Sequence, residues 1–346
     1  MHYVGIDVAL KESAVCVMDS GGRVVCEAKL PSDPGTIADF LAARGLEFER
    51  IGLEAGCTAA WLFAGLQARG LPAVCLEPRH AAAALRAGFR NKNDRNDARG
   101  IADLVRVNKY RPVWVKSPEA QRHGTILTAR GALHQQLVVL ENTIRGLLRQ
   151  GGIRLAAGRT DFERRVREAI GDDAAVRAAV LPLLEARGVA QRQRCALDRE
   201  IVRIARADGV CRLLATAPGV GAHVALAFRI AVDEPGRFRR SRTAAAHLGL
   251  TPSQYSSGET ERRGRISRMG DREMRRLLYI AASRLLGRNT GLWCPLKVWA
   301  IRLLKAKGLK KARVALARKL AVVLHRVWVT GQPFRWRAAE APAAAA

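Results

Sequence analysis

Apolar residues alternate with small or polar ones at the start of the chain. Tyr3–Ala9 reads YVGIDVA, Ala14–Met18 and Arg23–Lys29 read as two more strands, and Asp19-Ser20-Gly21-Gly22 separates the last pair. That period belongs to a strand with one buried face, and Asp-Ser-Gly-Gly is hairpin-turn chemistry. The pattern then changes: helices are predicted at about 34–44, 58–69, 79–88 and onward from Asn93, with short strands at Ile51–Glu54 and Ala73–Leu76. Beyond residue 117 it lengthens. Ile126, Leu133, Leu140 and Leu147 recur every seven residues, and Leu137 and Ile144 fill the intermediate seam. After the Gly151-Gly152 break, Val176, Leu183, Ala190, Leu197 and Ile204 keep that spacing over 174–207. This is an a/d heptad pattern, which suits either a coiled-coil spacer or dimerisation arm, or a hairpin folded back within one chain. Leu213–Val232 reads as two apolar helices around Pro218-Gly219-Val220-Gly221. Helix resumes at 271–287 and 309–329, and Ala338–Ala346 is Ala/Pro low complexity, expected to be disordered.

The early order βββ-α-β-α-β-α is that of an RNase H-like fold. The expectation is therefore an α/β RNase H-like (RuvC-like) domain over 1–116 and long coiled-coil helices over 117–207. A mostly α-helical domain with a helix-hairpin-helix follows over 208–335, then a tail, 336–346. In this order Asp7 lies in the first strand, Glu54 ends the fourth, and Asp94 and Asp97 sit one turn apart where a helix begins. A carboxylate inside an apolar strand is costly to bury unless it is paired or binds metal. Two carboxylates on one helix face repel unless a cation lies between them. Four at one sheet edge would hold two Mg²⁺ (or Mn²⁺) for an in-line phosphoryl displacement. Asn93 or Asp94 could equally be an ordinary N-cap. Lys92 and Arg95, with Arg99 one turn on, are candidates to position a backbone phosphate, or else form an exposed basic helix start. Sugar-kinase-like ATPases also open on a GIDxG-type strand. Here Val8-Ala9-Leu10 follows Asp7, without the Gly/Thr-rich phosphate loop that such a fold needs.

Charge sharpens the picture. The chain carries a net +28, and residues 1–110 contribute almost none of it, with 14 Lys and Arg against 13 Asp and Glu; the rest of the chain holds 45 against 18. A folded polycation of this size calls for a polyanionic partner, of which nucleic acid is the commonest. No run of about 18 apolar residues occurs, and Met1-His2-Tyr3 opens directly on a strand, so neither a membrane span nor a signal peptide is expected. The expected location is the cytosol. Seven scattered cysteines, never in CxxC spacing, argue against disulfides and zinc. Gly219 and Gly221 could present backbone N–H groups to a phosphate, as helix-hairpin-helix turns do. Ser256 and Ser257 precede Gly258 in what reads as a loop, followed by Arg262, Arg263, Arg265 and Arg268. A serine beside glycine is ordinarily a turn residue, and no GxSxG elbow accompanies it. A serine attacking a phosphodiester would need cations for the phosphoryl oxygens and an acceptor for its proton. The last helix carries Lys310, Lys311, Arg313, Arg318, Lys319 and Arg326 outside a Leu/Val face and is expected to close the C-terminal domain.

Taken together, GIDVA around Asp7, LEAG at Glu54, KNDRNDARGIADLVR at 92–106, PGVG, and LGLTPSQYSSG followed by GRISRMGD resemble one family over about residues 3–335. It is the insertion-sequence transposases that join an N-terminal RuvC-like DEDD domain to a C-terminal serine domain, the bridge-RNA-guided recombinases. The family's second motif is usually KTDRIDA; Asn93 and Asn96 depart from it at positions that carry no carboxylate. The resemblance implies an enzyme that cuts and rejoins donor and target DNA through a transient phosphoserine, guided by a structured non-coding RNA. It further implies a homo-oligomer, dimer or tetramer, in which the serine domain of one subunit completes the DEDD site of another. Carried over, Asp7, Glu54, Asp94 and Asp97 bind Mg²⁺ and Ser257, directly before Gly, is the nucleophile; Ser256 stays open. Two rivals stand beside it: a RuvC-like metal-dependent nuclease acting on branched DNA with water, and a non-catalytic nucleic-acid-binding protein on the same scaffold.

Overall fold

Strand β1 (His2–Asp7) is the centre of a mixed sheet whose strands run β3-β2-β1-β4-β5, with β2 (Glu12–Asp19), β3 (Val24–Pro31), β4 (Phe48–Glu54) and β5 (Ala73–Leu76). The first three strands form an antiparallel meander. β4 lies parallel to β1, and β5 parallel to β4. Four helices complete this part: α1 (Pro34–Ala42), α2 (Ala59–Gln67), α3 (Pro78–Gly88) and α4 (Asp94–Arg106). The computed structural model describes residues 1–88, 93–155, 161–257, 260–287 and 293–336, and divides into two units, Met1–Lys116 and Ser117–Ala346. Lys92 and the Ala338–Ala346 tail lie outside the described residues. The mixed sheet is compatible with the RNase H-like expectation.

Strand alternation sorts the side chains of the sheet. Val4, Ile6, Ile51 and Leu53 point to one face, where they pack with Ile37 and Leu41 of α1 and Leu62 and Leu66 of α2. The residues between them, Gly5 and Gly52, belong to the other face, and α4 lies on it. A Cβ at Gly5 would stand 2.0 Å from the Ala98 carbonyl oxygen and 2.3 Å from the Ala102 nitrogen; one at Gly52 would stand 2.7 Å from Val105. The missing side chains let the helix backbone rest directly on the strand at Gly5 and let the Val105 and Ile101 side chains fill the space at Gly52, which is a recurring use of glycine inside a strand.

The second unit opens with two long helices, α5 (Pro118–Gln150) and α7 (Ala174–Ala207), with α6 (Phe162–Ile170) between them in sequence. The long helices pack on each other as an antiparallel hairpin: Ile144 and Leu148 meet Val180 and Leu184, while Ala120 shares a core with Ile201 and Ile204. Of the two readings of the heptad pattern, folding back within the chain is the one observed. The seam is also offset from that pattern. Leu137 and Ile144 are buried as expected, but Glu141 and Leu148 take the neighbouring seam positions, and Leu133, Leu140 and Leu147 are only half-buried. Glu141 is held there by the nearly buried Arg187 at 2.9 Å.

The chain continues through α8 (Gly209–Leu214), α9 (Ala222–Val232), a 3₁₀ turn at Pro235–Arg237 and α10 (Ser241–His247). A two-stranded ribbon follows, β6 (Pro252–Ser257) and β7 (Thr260–Ile266), then α11 (Arg272–Leu285), α12 (Pro295–Lys307) and α13 (Leu309–Thr330). Phe228, Leu278, Leu316, Leu320 and Leu324 are fully buried in the core that joins α9, α11 and α13. His325 is buried there as well. Its Nε2 donates to the Pro235 carbonyl at 3.0 Å, which leaves Nδ1 to accept from the Ser241 hydroxyl. Among the described residues no helix is long and apolar enough to cross a membrane. Of the seven cysteines, Cys16, Cys75, Cys211 and Cys294 are buried and all are free thiols.

Candidate active site

Four carboxylates share one face and one edge of the five-stranded sheet. Asp7 follows Ile6 at the end of β1, and Glu54 follows Leu53 at the end of β4; Ile6 and Leu53 are register partners on parallel strands, so the two acids finish side by side. Both alternate with core residues and so belong with Gly5 and Gly52, on the face that α4 covers. The helix brings the other two. Its first turn lies beside Ala14, the β2 partner of Asp7, because Asn93, Asp94 and Ala98 line one pocket with Ala14 and Val15. Its last turn reaches the opposite end of the sheet, where Arg106 donates to the Ser20 carbonyl at 3.3 Å. Asp94 and Asp97 therefore stand at the Asp7 end.

The helix is capped by Asn93, whose Oδ1 accepts from the Asn96 amide at 2.7 Å. The cap alternative thus falls to the asparagine, and neither aspartate side chain serves it. The donor set is all carboxylate oxygen, which suits a hard divalent cation. As the side chains stand, no three His, Cys, Asp or Glu groups among the described residues close on a common point.

Two arginines of the same helix are engaged below it. Glu27 on β3 accepts from Arg95 Nε at 2.6 Å and from Arg99 Nη2 at 2.9 Å. The two guanidinium groups hold the Glu27 carboxyl down at about 2, against an ordinary 4.5, while burial opposes them. Arg95, read from the sequence as a phosphate contact, is thus already ion-paired, though it stays largely exposed. Sequence reasoning missed Glu27, since 68 residues separate it from Arg95 and no local pattern marks it. The glycines were also missed, and there a signal existed: Gly5 and Gly52 interrupt strand patterns, the usual sign of a close backbone approach. Nearby thiols are quiet. Burial pushes Cys16 up to about 12 and Cys75 up to about 11, with the Glu27 and Glu54 carboxylates adding to the effect.

In the second unit the structure corrects the serine loop. Ser256 and Ser257 end strand β6, paired with Glu261 and Thr260 of β7. The ribbon escaped the sequence reading because neither strand carries an apolar face to bury. Arg262 and Arg263 lie on β7; the side chains of all four residues fall outside the described part. Arg265 and Arg268 are described and exposed. The PGVG turn does join two helices, but its glycines differ. A Cβ on Gly219 (φ +77°) would stand 2.8 Å from the Ala281 carbonyl of α11, so this glycine allows close packing; Gly221 is the N-cap of α9, and a Cβ there would meet open space.

Comparison with known proteins bears on the whole chain. A model described as "Transposase IS116/IS110/IS902 family" matches residues 211–293, and the DEDD transposase model of IS110 matches residues 4–152. The transposase for insertion sequence element IS1111A of Coxiella burnetii is 28% identical, over 96% of this chain and 91% of its own length. The y4pF/y4sB protein of Sinorhizobium fredii is 31% identical, over 71% of this chain and 65% of its own. A Pseudomonas aeruginosa relative is 28% identical, over 93% and 95%. All three carry the word transposase in their names.

Proposed function

We propose that this chain, matched by the IS116/IS110/IS902 transposase model over 211–293 and the DEDD transposase model of IS110 over 4–152, is a transposase that cuts and rejoins DNA through a phosphoserine at Ser257, at a site completed by Asp7, Glu54, Asp94 and Asp97. The observation that carries this reading is the common sheet edge of the four carboxylates under a helix seated on Gly5 and Gly52. Four carboxylates on one edge repel each other, and a divalent cation is what offsets that repulsion. When bound there, Mg²⁺ or Mn²⁺ supplies Lewis-acid stabilisation of the phosphoryl oxygens. The DEDD-type domain itself points to divalent-metal use.

The serine step is a transesterification. The Ser257 Oγ forms one bond to phosphorus, one phosphorus–deoxyribose oxygen bond breaks, and the proton given up by the serine hydroxyl ends on the leaving oxygen. Rejoining reverses this, a strand hydroxyl displacing the serine, so bond energy is kept throughout. Arg262, Arg263, Arg265 and Arg268 on and beyond β7 give the cations such a step requires, and Gly221 offers an open helix start to a phosphate. The division into a carboxylate domain, a long-helix spacer, and a serine domain with a helix-hairpin-helix serves this chemistry. It goes with a homo-oligomer in which the serine of one subunit meets the acids of another. A structured guide RNA is the second polyanion; the excess of 45 Lys and Arg over 18 Asp and Glu after residue 110 supports a large nucleic-acid load.

The test incubates the protein with Mg²⁺, its co-purified RNA and end-labelled donor and target DNA, followed by denaturing electrophoresis. The expected result is label migrating with protein, lost in Ser257→Ala and Asp7→Asn and retained in Ser256→Ala. Cut DNA without an adduct, indifferent to both serine changes, would overturn the phosphoserine step and leave a metal-dependent nuclease. No cutting, with nucleic-acid binding unchanged by Asp94→Asn and Asp97→Asn, would leave a binding protein.

A further inference from the structure

In the second unit a groove of about 1290 Å³ opens between the ribbon and α13. The ribbon side contributes Arg265 and, just beyond β7, Arg268. Helix α13 contributes Lys310, Lys311, Arg318 and Lys319, and α10 adds Arg242. No acidic side chain lines it, and none of these seven cations is ion-paired with a carboxylate among the described residues. A basic helix that merely closes a domain has no need to aim its cations into a shared groove.

Arg268 is held there at a cost. Its φ is +57°, in the left-handed region that arginine rarely adopts. The turn is fixed from both sides: a Cβ on Gly249 would stand 2.0 Å from the Met269 carbonyl, and the Arg275 guanidinium donates to the carbonyls of Leu248, Met269 and Gly270 at 3.2, 2.7 and 3.0 Å. Strain that the surroundings over-determine tends to mark a binding position.

An aromatic surface adjoins the groove. Trp299 borders both it and a second opening of about 730 Å³ lined by Trp293, Trp336 and Arg302. Lys319 Nζ lies 4.2 Å from the Trp299 ring centroid. Trp336 is anchored, its indole N–H donating to the Thr216 carbonyl at 3.2 Å and its ring meeting Phe334 edge-on. Trp293 is 66% exposed, an unusual state for tryptophan unless something covers it.

Cations in a groove that runs into exposed indoles are the two halves of a single-strand binding surface: phosphates on the basic wall, unstacked bases on the rings. A duplex would meet the phosphate half alone, since its base faces are stacked inside. We propose that the α13 groove and the Trp293–Trp336 surface form a track for a single strand of nucleic acid. The assignment rests on the transposase reading and adds to it a place where one strand is held open.

The test measures anisotropy of a labelled 15-nucleotide single strand, as DNA and as RNA of the same sequence, with an unlabelled duplex as competitor, on the full chain across a salt series. Lys310→Ala/Lys311→Ala/Arg318→Ala is expected to flatten the log–log salt slope by about 2, since each phosphate contact to a single strand contributes about 0.7. Trp293→Ala is expected to weaken strand binding about 5- to 100-fold and leave the slope unchanged, as loss of one stacked base would. Photocrosslinks from 5-iodouracil in the strand are expected at Trp293 or Trp336. Tighter binding of the DNA or of the RNA arm names the strand. Wild-type affinity and slope in both variants would overturn the track, and a flattened slope with no effect of Trp293→Ala would overturn its single-strand character. The adduct assay on the same preparations keeps the two readings apart: a phosphoserine adduct without this binding removes only the track, and binding without an adduct removes only the phosphoserine chemistry.

Discussion

Glu27→Gln keeps the shape of the side chain that anchors α4 and removes its charge. In the native fold the carboxyl is depressed from 4.5 to about 2, by the hydrogen bonds and charge of Arg99 and Arg95. At 1.36 kcal/mol per pH unit this corresponds to about 3 kcal/mol. Arg95 is 67% exposed, so water screens its share, and the expected loss on substitution at pH 7 is about 1–3 kcal/mol. A depressed carboxyl stabilises the fold fully above its unfolded value near 4.5, and that contribution fades as pH falls through about 2. Urea unfolding of the full chain is therefore expected to show a lower midpoint for Glu27→Gln at pH 7. Between pH 5 and 2.5 the difference from the wild type shrinks. The same substitution loosens the first turn of α4, which carries Asp94 and Asp97, and each 1.4 kcal/mol lost there raises its frayed population about tenfold. Mg²⁺-dependent DNA cutting is expected to fall accordingly. A double-mutant cycle with Arg99→Gln isolates the pair. Equal midpoints at pH 7 and a coupling energy below about 0.3 kcal/mol would refute the anchoring role.

Gly5→Ala places a Cβ 2.0 Å from the Ala98 carbonyl, so α4 must lift off the sheet; an overpacking cost of about 3 kcal/mol or more, read from urea unfolding, is expected together with loss of cutting. Asp97→Asn removes one carboxylate from the shared edge, and Mn²⁺ binding followed by electron paramagnetic resonance is expected to weaken while the metal-free unfolding midpoint holds or rises, because repulsion is relieved. Glu141→Leu leaves Arg187 buried without its partner and is expected to cost about 3–5 kcal/mol, whereas Glu141→Leu/Arg187→Met is expected to come within about 1 kcal/mol of the wild type or exceed it.

Much of the first unit was legible because its information is local. A period of two marked β1, apolar runs marked β2 and β3, turn residues marked the hairpin, and the element order led to the sheet with Glu54 at a strand end; Asp7, read within its strand, ends β1. What brings α4 onto that edge was legible only in part. Gly5 and Gly52 carried a signal, whereas Glu27 acts through arginines far along the chain and is visible only once β3 lies beside α4. The heptads of α5 and α7 announced long helices and left their pairing open, because the same apolar stripe fits a neighbouring chain or the chain itself. Even the seam was displaced, since a buried Glu141 costs little when Arg187 reaches it, and no hydrophobic period can register an acid. The ribbon β6–β7 was invisible for the opposite reason: it has a ladder but no apolar face.

The net charge of the second unit was the plainest feature of the sequence and the hardest to apportion, and the structure divides it by partner. Arg187 meets Glu141, Arg130 and Arg194 meet Asp198, and Arg276 meets Glu273. Those guanidinium groups are spent on the fold. Lys310, Lys311 and Arg318 line a groove with no acid among its described lining residues, so their mutual repulsion is relieved by a polyanion. The two sets should therefore respond oppositely to the same substitution. Arg187→Ala is expected to lower the unfolding midpoint by the loss of its buried pair with Glu141, about 3 kcal/mol, and to leave the salt slope of single-strand binding intact. Arg318→Ala is expected to keep the midpoint within about 0.5 kcal/mol and flatten the slope by about 0.7. If both changes moved the slope alike, the positive charge would act as a diffuse field, and its division between structural pairs and a binding groove would be wrong.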